Sequence, residues 1–245
     1  MKGFFCSLLI LALIAGAACA DMRVEAGGYA LTFDEQVSGY GQNVFFGMDM
    51  VALDTGTARD SFACFLFIMP RLEGMGPDSL QDLQKGLEAH PSEGAFTGFR
   101  LVPEVEPQFL LHYTCADEAY LAQITAVADS FEIVPDRPLA FYVPADGALE
   151  RREIEGRLTP MALTDALNAA GAFPEPVAAD AISIGPRGAQ VYLDGAFQSM
   201  LDRADADAEA LYRKSLEDTF RENYRVETVH LFFHSGSSAG TDAAD

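Results

Sequence analysis

Length and composition place this chain among ordinary folded proteins. It has 245 residues, of which 49% are hydrophobic and 22% are charged, and its 37 Asp and Glu against 16 Lys and Arg give a formal net charge of −21. This composition is that of one or two folded domains and not of a disordered tail. A chain so acidic is repelled by phosphate backbones, which excludes nucleic acid as a partner. After the N-terminus, no segment approaches the ~20 apolar residues of a membrane-spanning helix.

The first twenty residues are predicted to be a signal peptide. Lys2 supplies the positive charge, Phe4 to Ile14 supply the apolar segment, and Ala18-Cys19-Ala20 places small residues before Asp21. We therefore expect a mature chain that begins at Asp21 and is periplasmic or secreted. The alternative is a lipoprotein anchored to the membrane through Cys19, although the aliphatic residue usual three positions before such a cysteine is absent.

Two cysteines remain after removal of the signal peptide, Cys64 and Cys115. Two cysteines in an oxidising compartment usually pair, and both lie in strand-like segments. We therefore predict a structural disulfide between neighbouring strands. In the chain-entropy model, closing a loop of about 50 residues stabilises the fold by roughly 4 kcal/mol. A redox-active pair is the alternative, but the sequence contains no Cys-x-x-Cys motif.

The segment 21–137 alternates strand and helix signals. Apolar, β-branched and aromatic runs predict strands at Tyr29–Phe33, Val44–Leu53, Ser61–Met69, Thr97–Val102, Gln108–Cys115 and Ser130–Val134. Helical spacing of apolar residues predicts two helices, one with Leu80, Leu83 and Leu87 after a cap at Asp78 or Ser79, and one with Leu121, Ile124 and Ala128. The order indicates a mainly antiparallel sheet with two helices.

A domain boundary is predicted at Pro135–Pro138, where two prolines flank charged residues between apolar runs. It divides the mature chain into residues 21–137 and residues 138–234, followed by a small, polar and flexible tail at 235–245. The fold class predicted is therefore α+β, with two small domains that each hold a mainly antiparallel sheet packed with helices.

The segment 138–234 has clear element boundaries. Strands are predicted at Leu139–Pro144, Leu149–Leu158 and Glu227–Phe233, and a hairpin at Ala181–Leu193 around Gly185-Pro186-Arg187-Gly188. Thr159-Pro160 predicts the start of a helix that ends at Gly171. The longest helix is predicted to bury one stripe, formed by Ala208, Leu211, Tyr212, Leu216, Phe220 and Tyr224.

The element order of this second segment resembles the GerMN domain of sporulation and spore-germination proteins. The resemblance lies in Val191-Tyr192-Leu193-Asp194-Gly195-Ala196-Phe197, the long helix after it, and Val226-Glu227-Thr228-Val229-His230-Leu231. It implies a small α/β module of exported envelope proteins that binds a ligand or partner. Met200-Leu201-Asp202-Arg203-Ala204-Asp205 stands where the family often has a glycine-rich segment.

A shorter resemblance lies in the first segment. Cys115-Ala116-Asp117-Glu118-Ala119-Tyr120 leading into a helix, followed by Asp129-Ser130-Phe131-Glu132-Ile133, resembles PsbP/Mog1-like domains over about twenty residues. That resemblance implies a binding or assembly module and not an enzyme.

The nucleophile and metal patterns favour structural roles. Ser235 and Ser237 follow His234 in the polar tail, which cannot hold a catalytic geometry. His230 and His234 on one strand lie about 13 Å apart, too far to share an ion. Asp202, Asp205, Asp207 and Glu209 are acids at a helix start, since the glycine of a calcium loop is missing; calcium is the alternative. We expect no cofactor.

For two groups of charged residues, binding of a ligand is the alternative to a structural role. Glu104 and Glu106 lie between Pro103 and Pro107, in a solvated loop or as one wall of a site for a cationic ligand. Arg151-Arg152 alternates with Glu150, Glu153 and Glu155, which indicates cross-strand ion pairs more than an anion site.

These observations favour an exported bacterial cell-envelope protein that is not an enzyme and that binds a small ligand, a cell-wall fragment or a protein partner. The alternative is a periplasmic hydrolase that uses an Asp/Glu acid pair. The two hypotheses differ in whether carboxylates meet in a pocket where one has a raised pKa.

Overall fold

A computed structural model describes residues 22–33, 39–43, 48–54, 62–91, 95–116, 118–185 and 188–233. The predicted signal peptide (1–20) with Cys19, and the predicted tail with His234, Ser235 and Ser237, lie outside the described residues.

The described elements mix strands and helices along the whole chain. The strands are β1 Met22–Ala26, β2 Tyr29–Phe33, β3 Gly39–Asn43, β4 Met48–Asp54, β5 Phe62–Pro70, β6 Phe96–Val102, β7 Phe109–Cys115, β8 Glu132–Ile133, β9 Arg137–Ala145, β10 Ala148–Gly156, β11 Ala179–Gly185, β12 Gly188–Leu193 and β13 Val229–Phe233. The helices are α1 Ser79–Ala89, α2 Leu121–Asp129, α3 Pro160–Ala169, α4 Gly195–Leu201 and α5 Ala206–Tyr224, with a 3-10 turn at Glu118–Tyr120.

Most strands belong to an eight-stranded sheet with the order β13-β12-β11-β3-β4-β5-β7-β6. Neighbouring strands of this sheet are antiparallel except β12 and β13, which are parallel. Strands β1, β2 and β8 form a small second sheet, and β9 and β10 form a two-stranded hairpin. Largely antiparallel sheets packed with helices confirm the predicted α+β class.

The large sheet crosses the predicted domain boundary. Strand β3 of the first segment pairs with β11 of the second, with Tyr40 opposite Ile184 and Asn43 opposite Ala181. Pro138 lies within β9 and not in a linker. The two segments therefore share a sheet, where the sequence indicated one sheet in each. Their division into separate folding units stays a prediction.

One face of the large sheet, which we call the inner face, carries the main core. Helix α2 packs against β5 and β7, α3 against β11, and α5 against β13. The side chains that meet there include Leu66, Ile68, Leu111, Ile124, Leu163, Ile182, Val191 and Phe220, all at most 1% exposed.

Helix α5 also closes the free edge of strand β9 with three polar side chains, Ser215, Thr219 and Asn223, which we call the α5 polar stripe. Asn223 accepts a hydrogen bond from the Ala140 N–H at 3.1 Å and donates to the Ala140 carbonyl. Thr219 accepts from the Tyr142 N–H at 3.0 Å, and Ser215 donates to the Tyr142 carbonyl. The backbone N–H and C=O groups of Ala140 and Tyr142 point away from β10. The stripe therefore makes the hydrogen bonds that a neighbouring strand would otherwise make.

Of the two predicted helix caps, the one at α3 forms and the one at α1 does not, while Asp205 caps α5 in addition. Thr159 accepts from the Ala162 N–H at 3.0 Å with Pro160 in the first turn of α3, and Asp205 accepts from the Ala208 N–H at 2.8 Å at the start of α5. At α1, Asp78 occupies the cap position, but its side chain makes no capping hydrogen bond.

Candidate functional site

The sheet alternation separates the inner face from an opposite face that we call the outer face. On β5, Leu66 and Ile68 are fully buried in the core, while Phe65 and Phe67, which alternate with them, point the other way and stay partly exposed. Directly opposed residues on antiparallel neighbours share a face, so the strand register assigns the rest. Among the residues whose side chains the structure describes, the outer face carries Phe65, Phe67, Met69, Thr97, Phe99, Leu101, Leu110, His112, Thr114, Ala181, Ser183, Gln190, Tyr192, His230 and Phe232.

None of these outer-face residues is Asp, Glu, Lys or Arg, although charged residues make up 22% of the chain. The solvated face of an antiparallel sheet is normally polar and charged. On β6 the only charged residue, Arg100, lies on the inner face, where it donates to the Ala128 carbonyl of α2 at 2.6 Å. The described part of the outer face therefore has the composition of a covered surface.

A row of stacked rings crosses strands β5, β7 and β6 on the outer face. The ring centroids of Phe65 and Phe67 are 6.0 Å apart, those of Phe67 and His112 are 5.8 Å apart, and those of His112 and Phe99 are 4.7 Å apart. Burial lowers the pKa of His112, so its imidazole is neutral at pH 7. We call these four residues the aromatic row.

A second aromatic pair lies at the opposite side of the outer face. The rings of Tyr192 and Phe232 stack with centroids 5.5 Å apart, and Phe232 is 43% exposed. The Tyr192 hydroxyl donates to the Gln190 side chain at 2.9 Å. Four strand spacings, or about 19 Å, separate this pair from β5.

Helix α1 covers only one corner of the outer face. It contacts β6 and β7, and its Leu80 and the outer-face Leu110 are both nearly inaccessible, at 2% and 0%. Leu83, on the same apolar stripe of α1, is 40% exposed. The helix predicted from leucine spacing therefore forms, but only its first leucine is buried.

The disulfide is confirmed between Cys64 of β5 and Cys115 of β7. The two residues are directly opposed in the strand pairing and both are fully buried.

Glu104 and Glu106 do not form the wall of a cation site. Glu104 is exposed, and both carboxylate oxygens of Glu106 accept from the Arg71 guanidinium, at 2.6 and 2.7 Å. A surface pocket of about 380 Å³ lies beside this pair. Since Arg71 already neutralises Glu106, the pair offers no net charge to a ligand.

Arg151 and Arg152 form ion pairs, as predicted, but not with residues of a neighbouring strand. Arg151 pairs with Glu153 of its own strand and with Glu222 of α5, each at 2.7 Å, and Arg152 pairs with Glu150 at 2.8 Å. Hydrogen bonds from Arg151 and Tyr142 lower the pKa of Glu222. These contacts run along β10 and to α5, so the pairing is not cross-strand.

The acidic residues near the start of α5 have structural partners. Asp205 caps the helix, Asp202 accepts from Gln198 at 2.6 Å, and Glu209 pairs with Arg213 at 2.8 Å. Within the described part of the chain, no three His, Cys, Asp or Glu residues are arranged to hold a metal ion. His230 lies on strand β13, as predicted.

A buried carboxylate, Asp49, connects β4 to β2. It lies on β4 at 8% exposure and accepts from the Tyr29 hydroxyl of β2. Burial raises the pKa of Tyr224 on α5 well above its ordinary value, and the Asp49 charge raises it further. Asp49 faces the core, so its hydrogen bond with Tyr29 joins β2 to β4 and does not form an open acid pair of the kind a hydrolase needs.

Sequence reasoning did not find the outer face. The signal was present in β5, because its apolar residues continue without alternation through Phe65-Leu66-Phe67-Ile68-Met69. Such a run is typical of a strand that is covered on both faces.

No helix among the described residues is both long enough and apolar enough to cross a membrane. No protein-family model matches this chain, and no curated protein or solved structure matches it either.

Proposed function

We propose that this chain is an exported bacterial cell-envelope protein that binds or assembles with a partner through the outer face of its large sheet, without catalysing a reaction. The observation that carries the proposal is that the described outer-face residues of β5, β6, β7, β11, β12 and β13 include no Asp, Glu, Lys or Arg, in a chain with formal charge −21. Binding surfaces are depleted of charged residues at their centre and enriched in aromatic residues. The aromatic row and the Tyr192–Phe232 pair have this character.

Export is supported by the signal-like N-terminus and by the buried disulfide. Disulfides persist in oxidising compartments and are rare in the cytosol. Intact mass of the protein recovered from the periplasm and medium tests this part: we expect a chain that begins at Asp21, while a diacylglyceryl adduct on Cys19 contradicts cleavage before Asp21.

We further propose that residues 138–234 are a GerMN-like module and that the first segment is PsbP/Mog1-like. The hairpin β11–β12, the long helix α5 and the final strand β13 follow the order that the GerMN resemblance implies. Both families contain binding or assembly modules, in line with a non-enzymatic role. A solved structure of a GerMN domain that superposes on residues 138–233 would support this assignment; a different strand order there would remove it.

Site-specific photocrosslinking in the native host tests the binding surface. A benzophenone-bearing phenylalanine replaces Phe99 of the aromatic row, and the matched control carries the same group at Ile154, which is 46% exposed on β10. We expect discrete adducts from position 99 and none from position 154. Equal labelling at both positions, or no adduct at 99, contradicts the proposal.

A further inference from the structure

We propose that strand β6 pairs with the β6 strand of a second copy of this chain, so that two large sheets join edge to edge about a two-fold axis. The inference goes beyond the proposed function, because it uses the backbone at the edge of the sheet. The contact is antiparallel, Phe96–Val102 against Phe96–Val102, and Phe99 lies on the axis.

Three residues of β6 direct their backbone hydrogen-bonding groups away from the sheet. The Cα atoms of Cys64 and Cys115 are 4.1 Å apart, the spacing of a non-hydrogen-bonded antiparallel pair, so Cys115 turns its N–H and C=O towards β6. Hydrogen-bonded and non-hydrogen-bonded pairs alternate along the β6–β7 ladder from that point. The N–H and C=O groups that point to the free edge are therefore those of Thr97, Phe99 and Leu101. Within the described part of the chain, no residue forms a hydrogen bond with them.

The free edge of β6 lacks the features that normally prevent a strand from pairing. Edge strands usually carry charged residues, proline or a bulge. Strand β10 is protected in this way by five charged residues between Glu150 and Glu155. Strand β6 pairs with β7 in unbroken register, contains no proline, and directs its one charged side chain, Arg100, to α2. An extended strand can therefore add to β6 through main-chain hydrogen bonds.

The side chains of β6 complement a second β6 in one register. With Phe99 opposite Phe99, Thr97 of each copy lies opposite Leu101 of the other, and each of these hydrogen-bonded pairs exchanges two bonds. Phe99 is the last ring of the aromatic row, so the row continues across the axis into the row of the second copy. A register centred on Arg100 would instead place two guanidinium groups opposite each other, which is destabilising.

Glycine at position 98 gives the second copy room on the inner face. The far end of the Tyr113 ring lies over Gly98, where an added Cβ would be 2.2 Å from Cζ of Tyr113. In the register centred on Phe99, Gly98 lies opposite Arg100 of the second copy, so a long side chain meets a residue that has none. A foreign strand needs a glycine opposite Arg100 and an aromatic residue opposite Phe99 to fit as well. Strand β6 itself supplies both, which selects a second copy as the occupant.

Helix α1 leaves this contact open. It contacts β6 and β7 from the outer face, and Phe96 of β6 stays 41% exposed. A two-fold axis perpendicular to the sheet keeps both outer faces on the same side, so no helix comes between the two sheets. Since α1 contacts both strands, the two α1 helices lie about two strand spacings, or ~10 Å, apart, which is the distance of packed helices.

The first measurement is the molar mass of the purified, oxidised protein by light scattering and sedimentation over a dilution series. We expect twice the mass of the chain. Thr97→Pro removes an N–H that points to the second copy but keeps the β6–β7 hydrogen bonds, and it should raise the dimer dissociation constant by roughly a hundredfold. Thr97→Ala keeps that N–H and should leave the constant nearly unchanged. A monomeric wild-type chain, an open polymer, or equal weakening by both variants overturns the inference.

A single cysteine tests the register without relying on the proline variant. Phe99→Cys places two thiols opposite each other across the axis, with Cα atoms about 5.5 Å apart, within the range of a disulfide. Thr97→Cys is the matched control on the same strand, because its two copies lie about 14 Å apart. We expect a covalent dimer in non-reducing gels for Phe99→Cys alone. Equal cross-linking of the two variants, or none at position 99, overturns the inference.

The photocrosslinking experiment separates this inference from the proposed function. An adduct from position 99 with twice the mass of the chain reports the edge contact, and an adduct of another mass reports a separate partner of the outer face. Adducts of another mass on a monomeric chain overturn the dimer and leave the binding proposal standing. A dimeric chain whose only adduct has twice its mass supports the dimer and overturns the separate partner.

Discussion

Replacing Asn223 by Ala should be one of the most destabilising single changes in this chain. Asn223 is 2% exposed and is the last residue of the α5 polar stripe. Its amide accepts from the Ala140 N–H at 3.1 Å and donates to the Ala140 and Thr219 carbonyls, the latter at 2.7 Å. Ala140 is itself 3% exposed, so water does not replace the lost side chain. Each buried backbone group left without a partner costs about 1–3 kcal/mol, so the two groups of Ala140 give about 2–6 kcal/mol.

Urea unfolding of the oxidised protein, followed by circular dichroism, measures this loss through the free energy of unfolding at constant m-value. Asn223→Asp should be at least as destabilising as Asn223→Ala at pH 7, because its buried carboxylate would face the Ala140 and Thr219 carbonyl oxygens with no proton to donate. Glu222→Ala is the matched control on the same helix. Its ion pair with Arg151 is exposed, so its loss should cost less than about 1 kcal/mol. If Asn223→Ala costs no more than Glu222→Ala, the stripe does not seal the β9 edge.

Three further outcomes are expected. Peptide mapping of the purified, unreduced protein should show Cys64 linked to Cys115, and reduction should lower the free energy of unfolding by roughly 4 kcal/mol; two alkylatable thiols contradict this. A fragment of residues 138–234 should fold cooperatively with a midpoint below that of the full chain, because β11 loses its partner β3, and a reducing agent should not move that midpoint; an unfolded fragment refutes two folding units. Because burial lowers the pKa of His112, the native state binds fewer protons than the unfolded state just below pH 6.5. The free energy of unfolding should therefore fall as the pH is lowered through that value, and His112→Gln should flatten this part of the pH dependence. An unchanged slope in the variant rules out His112 as the source of the pH dependence.

Elements with strong local chemistry could be predicted from the sequence. Thr159 followed by Pro160 predicts the start of α3 because a hydroxyl cap and a fixed proline φ act within one turn. Strand β3 could not be found in this way. Its sequence Gly-Tyr-Gly-Gln-Asn has neither alternation nor β propensity, and its pairing with β11 depends on residues about 140 positions away. The shared sheet was therefore missed.

The part of the candidate site that depends on local sequence could be predicted, and the part that depends on distant residues could not. The continuous apolar run of β5 indicates a strand covered on both faces. The aromatic row needs the register of three strands, since Phe67 meets His112 and His112 meets Phe99 only in one pairing. The α5 polar stripe was missed for a related reason. Ser215, Thr219 and Asn223 are polar, so the apolar pattern assigned them to solvent, while the structure buries them against a strand edge.

The Cys64–Cys115 bond fixes which side chains of β7 face the core and which face outward. Side chains alternate with a period of two, so sliding β7 past β5 by one residue would exchange every inward and outward position of that strand. His112 would turn into the core, and Leu111 would turn out to solvent. A covalent link between two directly opposed residues permits only the native assignment of side chains to the two faces of the sheet. In a reduced chain, a slipped strand would display aliphatic side chains at a sheet surface, which is the kind of surface on which β proteins aggregate. Oxidation before or during strand pairing would then decide which side chains of β7 face the core and which face outward.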